Sequence, residues 1–337
     1  MGASLTKMAQ RSMNYFRSFS LDHYRASDVR GLFNYSLSCC VNALLQSFSA
    51  TTELLDILNK WHPSDEITGN NIPMQLKNAL QAMMDSSNPY PHRYFLDCLD
   101  SHSISRYTQQ DADEIFLIIL NLSQKQMPDQ DLAKEIRSLY EVRMETRVKC
   151  LECTYIQQVP SYSFSLPLAI HEGGNNLESC IQSFFQRQNL LHYCDRCGQK
   201  QLSTHELRLV SLPRILCVHL KRFRNDDGFT RKLHSRVTFP VTLNMGNCAA
   251  AGQSENVAPG SLQADEHYNL YAVIVHIGTA MFGHYTAYIR PTHEPTWYYA
   301  DDSTVQPATW ADVQDTYEGR KRAYLLLYRK MSRNASG

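Results

Sequence analysis

The chain has 337 residues, enough for one large domain or two ordinary ones, and its 33 basic side chains balance 33 acidic ones. A net charge near zero gives no electrostatic basis for nucleic-acid binding, no run approaches the ~18 apolar residues of a membrane span, and the N-terminus lacks the apolar core of a secretion signal. Ten cysteines in such a chain indicate a reducing compartment, with thiols used for metal binding or catalysis rather than for disulfides. We therefore predict a cytoplasmic protein, which can also be nuclear.

The first thirty residues show no sustained apolar period, and residues 1–30 are predicted to form a flexible leader. The first six residues fit the loose pattern for N-myristoylation, which would acylate Gly2. This pattern is short and also matches by chance. One acyl chain would in any case anchor the protein only weakly.

Cys39 lies where a turn-prone segment gives way to a predicted helix. Val41, Leu44 and Phe48 recur at helical spacing just after it. The free N–H groups and the positive dipole at a helix start stabilise a thiolate, which is how a protein prepares a nucleophile. The alternative is a small cysteine buried in the core.

Four further apolar patterns make the first 145 or so residues mostly helical. They predict helices over residues 54–58, 76–83, 107–122 and 132–140. Asp111, Asp113 and Glu114 open the third of these helices, where carboxylates complement the helix dipole. The alternative is an acidic grip on a basic peptide.

The pattern changes to strands from about residue 146. Alternating apolar residues predict strands near 162–168, 216–220, 268–276, 285–290, 297–300 and 323–328. Residues 246–266 are rich in small and polar side chains, and we predict a mobile surface insertion there. Helices followed by strands give an α+β fold class.

Two Cys-x-x-Cys pairs lie in the strand-rich part of the chain. They are formed by Cys150 with Cys153 and by Cys194 with Cys197. Four thiolates make a closed tetrahedral zinc site, in which turn N–H groups bond the sulfurs and no position is left open for water. We therefore predict structural Zn²⁺, against the alternative of four unrelated thiols.

A cysteine hydrolase needs a base for the thiol and a third group that orients the base. His284 follows a glycine-bounded loop at the start of a predicted strand, and Asp301 follows the next strand. Neighbouring strands of a hairpin would place these two side chains together. The alternatives for the base are His219, His267 and His276; the first and last lie in apolar strands, which favours core roles.

Several segments of the chain resemble the signature boxes of the ubiquitin-specific proteases. They are residues 31–46, 109–114, 212–223, 283–290 and 297–305. The resemblance covers roughly residues 31–330. It implies a leader followed by one papain-like catalytic domain over residues 31–333. This domain would have a helical thumb, zinc-bearing β fingers and a β-rich palm, with approximate bounds of 31–145, 146–210 and 211–333.

The same resemblance implies roles for individual residues. Cys39 would be the nucleophile, His284 the base and Asp301 its orienter, while Asn34 would donate to the oxyanion and Asp302 would be an auxiliary acid. Substrate contacts would be made by Gln110, Asp111, Gly283 and Tyr285. The reaction would be hydrolysis of the isopeptide bond after the Gly-Gly tail of a ubiquitin-like modifier.

The chain departs from the family pattern at a few positions. Ser36 stands where the family usually has glycine, and Leu37 where it often has asparagine. Glycine permits a positive φ at low cost, so the loop before the nucleophile is expected to differ in shape or to support less activity. Cys40, Ile115 and Ala300 replace aromatic residues.

Within the family, the chain is most similar to the small members that remove the interferon-stimulated ubiquitin-like modifier. The features shared with them are Cys39-Cys40, residues 139–143 and residues 230–232. This similarity also implies negative regulation of interferon signalling through a receptor subunit or a signalling adaptor. The alternatives are a deubiquitinase, a weakly active or inactive scaffold that binds a modifier or a receptor, and a zinc-stabilised interaction domain without chemistry.

Overall fold

A computed structural model describes residues 29–62, 69–85, 87–226, 228–252, 266–292 and 294–331. The predicted leader up to residue 28, with its acylation pattern at Gly2, lies outside the described residues, as do residues 253–265 of the predicted insertion. Among the described helices, none is long and apolar enough to cross a membrane.

Six helices form the N-terminal part of the described chain. They are α1 (Cys39–Ser49), α2 (Thr52–Lys60), α3 (Ile72–Met83), α4 (Arg93–Ser101), α5 (Ala112–Gln126) and α6 (Gln130–Tyr140). The predicted helices are confirmed, and α4 is an addition that the sequence analysis missed. Helix α5 begins at Ala112 and not at residue 107, because the Asp111 side chain accepts the N–H groups of Asp113 and Glu114 and caps the helix there.

The middle of the chain forms a four-stranded antiparallel sheet with a small helical unit between its two hairpins. In chain order, the elements of this part of the chain are β1 (Val142–Cys150), β2 (Ile156–Ser163), β3 (Leu166–Ala169), β4 (Asn175–Asn176), α7 (Leu177–Phe185), β5 (Gln188–Cys194) and β6 (Gln199–Ser211). The strand order is β2-β1-β6-β5. Helix α7 was not predicted, and the predicted strand near 162–168 is divided between β2 and β3.

The last third of the chain builds most of an eight-stranded sheet. Its elements are β7 (Ile215–Lys221), β8 (Phe223–Asp226), β9 (Phe229–Lys232), β10 (Val237–Thr238), β11 (Thr242–Asn244), α8 (Met245–Gly252), β12 (His267–Gly278), β13 (Gly283–Ile289), β14 (Trp297–Asp301), β15 (Thr304–Ala308), α9 (Trp310–Gln314) and β16 (Lys321–Lys330). The sheet order is β15-β14-β13-β12-β16-β7-β3, with β11 also paired to β12. The β8–β9 hairpin stands apart from this sheet.

Both faces of the large sheet are covered, which explains the apolar runs in its strands. Along β16, Leu325 and Leu327 pack with the N-terminal helices, whereas Leu326 and Tyr328 belong to a second core with α7 and α8. Because α1 lies against the first of these faces, the sheet and the helices meet at the start of α1. The mixed helix-and-sheet fold class is confirmed.

The prediction of a mobile surface insertion is wrong for its first residues. Residues Met245–Gly252 form α8, and Met245, Cys248 and Ala249 are buried in the second core. Small side chains are typical of loops, but alanine also favours a helix, and Ala249 fits the close packing of the second core.

Candidate active site

Cys39 is the first residue of α1 and is buried. The loop before it is held by its own hydrogen bonds, since the Ser38 N–H donates to Asn34 Oδ1 over 3.1 Å and the Tyr35 N–H donates to Ser38 Oγ over 2.9 Å. The Leu37 N–H donates to the Arg106 carbonyl over 2.9 Å. These bonds fix the turn that presents the thiol at the positive end of the helix.

Ser36, at the position of the usual glycine, has a φ of +68°. This is the left-handed region, which a serine occupies at a cost of about 1 kcal/mol or more relative to glycine. The loop therefore adopts a conformation that suits glycine. Having serine instead of glycine at position 36 strains the backbone close to the thiol.

His284, the second residue of β13, is connected to both neighbours that the sequence predicted. Its Nε2 lies 2.7 Å from Asp301 Oδ1, at the end of β14. Hydrogen bonding to Cys39, and then to Asp301, raises the pKa of His284 to about 9 against the opposing effect of burial. Both contacts therefore favour the protonated imidazole. Cys39, His284 and Asp301 form one connected group.

Asp302 lies beside this group and is held by two asparagines. Its Oδ2 accepts Asn34 Nδ2 over 2.7 Å and its Oδ1 accepts Asn42 Nδ2 over 2.8 Å. The Leu32 N–H donates to its carbonyl over 2.7 Å. Asp302 thus ties the end of β14 to the cysteine loop, and it fixes the amide of Asn34 with one N–H group committed and the other still able to donate.

Gln109 joins the helical part to the start of β13, a contact that the sequence analysis missed. Its Nε2 donates to the Gly283 carbonyl over 2.9 Å, and its Oε1 accepts the Gly283 N–H over 3.0 Å. Gly283 cannot carry a side chain, because a Cβ there would lie 2.0 Å from His276 Nε2. Gln109 therefore holds the residue next to His284 at two points.

The other predicted substrate residues lie in different surroundings. The Gln110 amide donates locally, to the Ser105 carbonyl and to Thr108 Oγ1. Asp111 caps α5 with one carboxylate oxygen and accepts the Tyr324 hydroxyl with the other. Tyr285 is buried, with its ring centroid 5.8 Å from that of Tyr324. Of the four residues, Gly283 directly precedes His284, whereas Asp111 and Tyr285 both contact Tyr324.

The alternative histidines have other partners. His276 is buried, and burial lowers its pKa to about 3. His219 Nδ1 lies 2.9 Å from Asp113 Oδ2. His267 lies at the opposite end of β12 from the loop that leads to His284, where its Nε2 is 3.4 Å from Asn244 Nδ2. Among these histidines, His284 is the one that contacts Cys39.

The four predicted zinc ligands converge at the tip of the four-stranded sheet. Their sulfurs lie within 4.8 Å of one another, with 3.5 Å between those of Cys153 and Cys194 and 4.0 Å between those of Cys150 and Cys197. Four sulfurs at about 2.3 Å from a tetrahedral zinc ion would be about 3.8 Å apart. Backbone N–H groups in the first turn lower the pKa of Cys150 to about 7, whereas hydrogen bonds with the neighbouring thiols, first that of Cys153, raise the pKa of Cys197. The donor set and its spacing therefore fit zinc.

Residues 30–328 match the family model described as ubiquitin carboxyl-terminal hydrolase. The chain belongs to this family. The resemblance drawn from the sequence is confirmed, and with it the class of cysteine-type isopeptidase.

Relatives of ubiquitin carboxyl-terminal hydrolase type match over nearly the full chain. Ubl carboxyl-terminal hydrolase 18 from Mus musculus is 32% identical, covering 95% of this chain and 92% of that protein. The protein of the same name from Homo sapiens is 29% identical, covering 98% and 93%. The structure of the SAGA Ubp8/Sgf11/Sus1/Sgf73 DUB module bound to ubiquitin aldehyde contains a chain of the same fold, with a TM-score of 0.75, 23% identity and coverage of 92% of this chain and 71% of that one.

Two residues of this family member, Gln109 and Asn42, join the site although the sequence analysis gave them no role. The signal for Asn42 was a polar residue among the apolar positions of α1, where it is buried. The signal for Gln109 was its place directly before Gln110 and Asp111 in the glutamine-aspartate box. Neither signal names the partner, which the chain supplies from a distant segment.

Proposed function

We propose that the protein hydrolyses the isopeptide bond after the C-terminal Gly-Gly of a ubiquitin-like modifier attached to lysine. The observation that carries this proposal is the contact of His284 with both Cys39 and Asp301 at the start of α1. A thiol, an imidazole that takes its proton and a carboxylate that orients the imidazole are the parts that thiol-dependent acyl transfer requires.

In the proposed mechanism, His284 holds the proton taken from the Cys39 thiol. The Cys39 sulfur attacks the carbonyl carbon of the terminal glycine and forms a tetrahedral intermediate. When the intermediate collapses, the C–N bond breaks and His284 gives its proton to the leaving lysine amine. Water, deprotonated by His284, then attacks the thioester. This step releases the modifier's carboxylate and returns Cys39 and His284 to their starting state.

Asn34 and the two aspartates have separate roles in this proposal. The free N–H of Asn34 and the backbone N–H groups at the start of α1 stabilise the oxyanion. Asp302 acts by holding Asn34 in place rather than by transferring a proton. Asp301, bonded to His284 Nε2, fixes the ring so that Nδ1 faces the thiol.

The modifier's tail would lie between the Gln109–Gly283 contact and the loop before Cys39. Glycines suit a narrow channel, because they bring no side chains. Gln110, Asp111, Gly283 and Tyr285 remain the proposed substrate residues. Since both oxygens of Asp111 already accept hydrogen bonds, its proposed effect on the basic residues upstream of the tail would come mainly from its charge.

Replacing Gln109 with methionine should lower kcat by roughly tenfold with a smaller change in KM. The variant loses two hydrogen bonds of about 1 kcal/mol each, and the strand start that carries His284 is held less firmly. Steady-state hydrolysis of a modifier C-terminal amide gives both constants. Gln124→Met in α5 is the control, because the Gln124 amide donates locally, to the Leu120 carbonyl one turn away. Equal losses in both variants would show that the Gly283 contact has no role of its own.

For the modifier, we propose the interferon-stimulated tandem of two ubiquitin folds, with ubiquitin as the alternative. The two proteins from mouse and human are named for a ubiquitin-like substrate, and the SAGA module was solved with ubiquitin aldehyde. Both modifiers end in the same tail, so the catalytic group does not separate them. The discrimination must come from surfaces that contact the modifier's globular body.

A paired labelling experiment tests this choice. The protein is incubated with each modifier carrying a cysteine-reactive group at its C-terminal glycine, and the adducts are mapped by mass spectrometry. We expect an adduct at Cys39 with the tandem modifier and much slower labelling by ubiquitin. Labelling by ubiquitin alone would contradict the proposed modifier but support the proposed activity, with ubiquitin as the substrate. Labelling by neither, in folded protein, would favour a scaffold that binds a modifier or a receptor without turnover.

We further propose that Cys150, Cys153, Cys194 and Cys197 hold one structural Zn²⁺, and that the domain divides into thumb, fingers and palm at about residues 145 and 210. When bound, the ion would cross-link the β1–β2 and β5–β6 hairpins through its coordination by the four thiolates. Such fingers would support the modifier's body. A role in damping interferon signalling, through a receptor subunit or an adaptor, and a cytoplasmic and nuclear location are part of the same proposal and rest on the resemblance.

A further inference from the structure

A cluster of basic side chains that the proposed mechanism does not use lies behind the loop leading into β13. It consists of Arg222, Lys232, His234 and Arg322, called here the basic cluster. Arg222 is fully buried, and Lys232 and Arg322 are only 7% and 8% exposed. His234 is exposed and marks the open side of the cluster.

The two arginines carry buried N–H groups that meet no acceptor. Arg222 donates through Nε to the Ala323 carbonyl, and through Nη1 to the Leu233 and Ser235 carbonyls. Its Nη2 has no partner, and neither do Nε and Nη1 of Arg322. A guanidinium contains only donors, so the two groups cannot satisfy each other. Each group therefore needs a hydrogen-bond acceptor that the described part of the chain does not supply.

The members of the cluster are also close enough to repel one another. Burial lowers the pKa of Arg222 to about 9, with Arg322 adding to the effect. Burial lowers the pKa of Lys232 to about 8, and both arginines contribute. The His234 pKa is lowered by burial and then by Arg322, Lys232 and Arg222. The cluster therefore holds several positive charges in one partly buried place.

Within the described part of the chain, no carboxylate forms an ion pair with Arg222, Lys232 or Arg322. Glu318 is the acid whose charge acts on Arg322, but its side chain is 67% exposed and pairs with Arg236 over 3.5 Å. Unpaired buried charges are costly, and proteins normally offset them with a counter-charge that also accepts hydrogen bonds.

We propose that the basic cluster is a binding site for a small inorganic anion, held between Arg222 and Arg322 and entered past His234. The anion would accept the N–H groups that have no partner in the protein. Lys232 connects this site to the active-site loop, because its Nζ donates to the His276 and Gly278 carbonyls over 2.9 and 3.0 Å. The bound anion would therefore brace the base of the loop that precedes Gly283.

Thermal unfolding of the full chain tests the site without using Cys39 chemistry, so its outcome is independent of the proposed function. The protein is placed in a sodium gluconate buffer and titrated with sulfate, phosphate or chloride at constant ionic strength. Low millimolar additions keep the general effect of sulfate on protein surfaces small. A saturable rise in Tm of about 4 °C is expected at a hundredfold excess over Kd. A response to chloride as well as to the tetrahedral anions indicates a site for any small anion, and a response to sulfate and phosphate alone indicates an oxyanion site; both support the proposal.

Arg322→Gln removes one of the two guanidiniums that have unpaired N–H groups, and it should abolish the rise in Tm. Because it also removes repulsion, its Tm in the anion-free buffer should be no lower than that of the parent. Arg320→Gln, which deletes an exposed arginine two residues earlier, changes the net charge equally and should respond like the parent. Should Arg322→Gln fail to fold, Arg322→Lys keeps the charge without the planar fork and should respond more weakly. No saturable response in the parent, or the same response in Arg322→Gln, would mean that water satisfies the arginines and that there is no anion site.

Discussion

Replacing Cys39 with alanine should abolish hydrolysis, with kcat/KM falling by roughly four orders of magnitude or more. The variant keeps the buried start of α1 and the contact between His284 and Asp301, but it has no atom that can attack the glycine carbonyl. Modifier binding should be retained, because the tail and the body are contacted by other residues. Turnover of a fluorogenic modifier amide, together with binding measured by calorimetry, checks both parts.

The adjacent Cys40 gives a matched control for this prediction. It is also buried in α1, and burial raises the pKa of its thiol well above the usual value, so it stays protonated and unreactive. Cys40→Ala should therefore keep turnover within a few-fold of the parent. Turnover that survives in Cys39→Ala and is lost in Cys40→Ala would identify Cys40 as the nucleophile and contradict the proposed assignment.

Replacing Cys194 and Cys197 together with serine should remove about one equivalent of zinc and destabilise the four-stranded sheet strongly. Structural zinc in small domains contributes about 10 kcal/mol or more of apparent binding free energy, and this is lost with the ligands. The strands β5 and β6 also expose large apolar side chains, such as Leu190, Leu191 and Leu202, and they depend on the cross-link more than a well-covered strand would. Metal analysis and limited proteolysis between β1 and β6 measure the two effects.

Two cysteines outside the cluster provide the comparison for the zinc prediction. Cys98 and Cys248 are buried thiols, and replacing both with alanine should leave the zinc content unchanged. Any loss of stability from that pair would reflect core packing alone. Purified parent protein that is folded and free of metal would contradict the zinc assignment, whatever the variants do.

The sequence predicted those parts of the fold that have a strong local period. Helices α1, α3 and α6 repeat apolar residues over several turns, and β12 and β16 are long apolar strands. Helices α4 and α7 were not predicted; each has nine residues, as does α2, and two and a half turns give a weak periodic signal that identifies some short helices and misses others. What makes them helices is the core on which residues such as Leu96 and Ile181 pack.

The candidate site follows the same division between local and distant information. Cys39 and His284 were named from short motifs, because a helix start and a glycine-bounded strand are local signals. The contacts of Gln109 and Asn42 could not be read in that way, since their partners lie 174 and 260 residues along the chain. Only the folded backbone brings Gly283 and Asp302 to them.

The position of β16 sets the order in which the molecule can be completed during synthesis. This strand is the last in the described chain, yet it lies between β12 and β7 in the middle of the large sheet. Until it leaves the ribosome, both neighbours present unpaired edges and the two cores lack their shared wall, which is a state prone to aggregation. Tyr324, which bonds to the Asp111 cap of α5, also arrives with this strand. The nascent chain must therefore wait for β16 before the site around Cys39 can take shape.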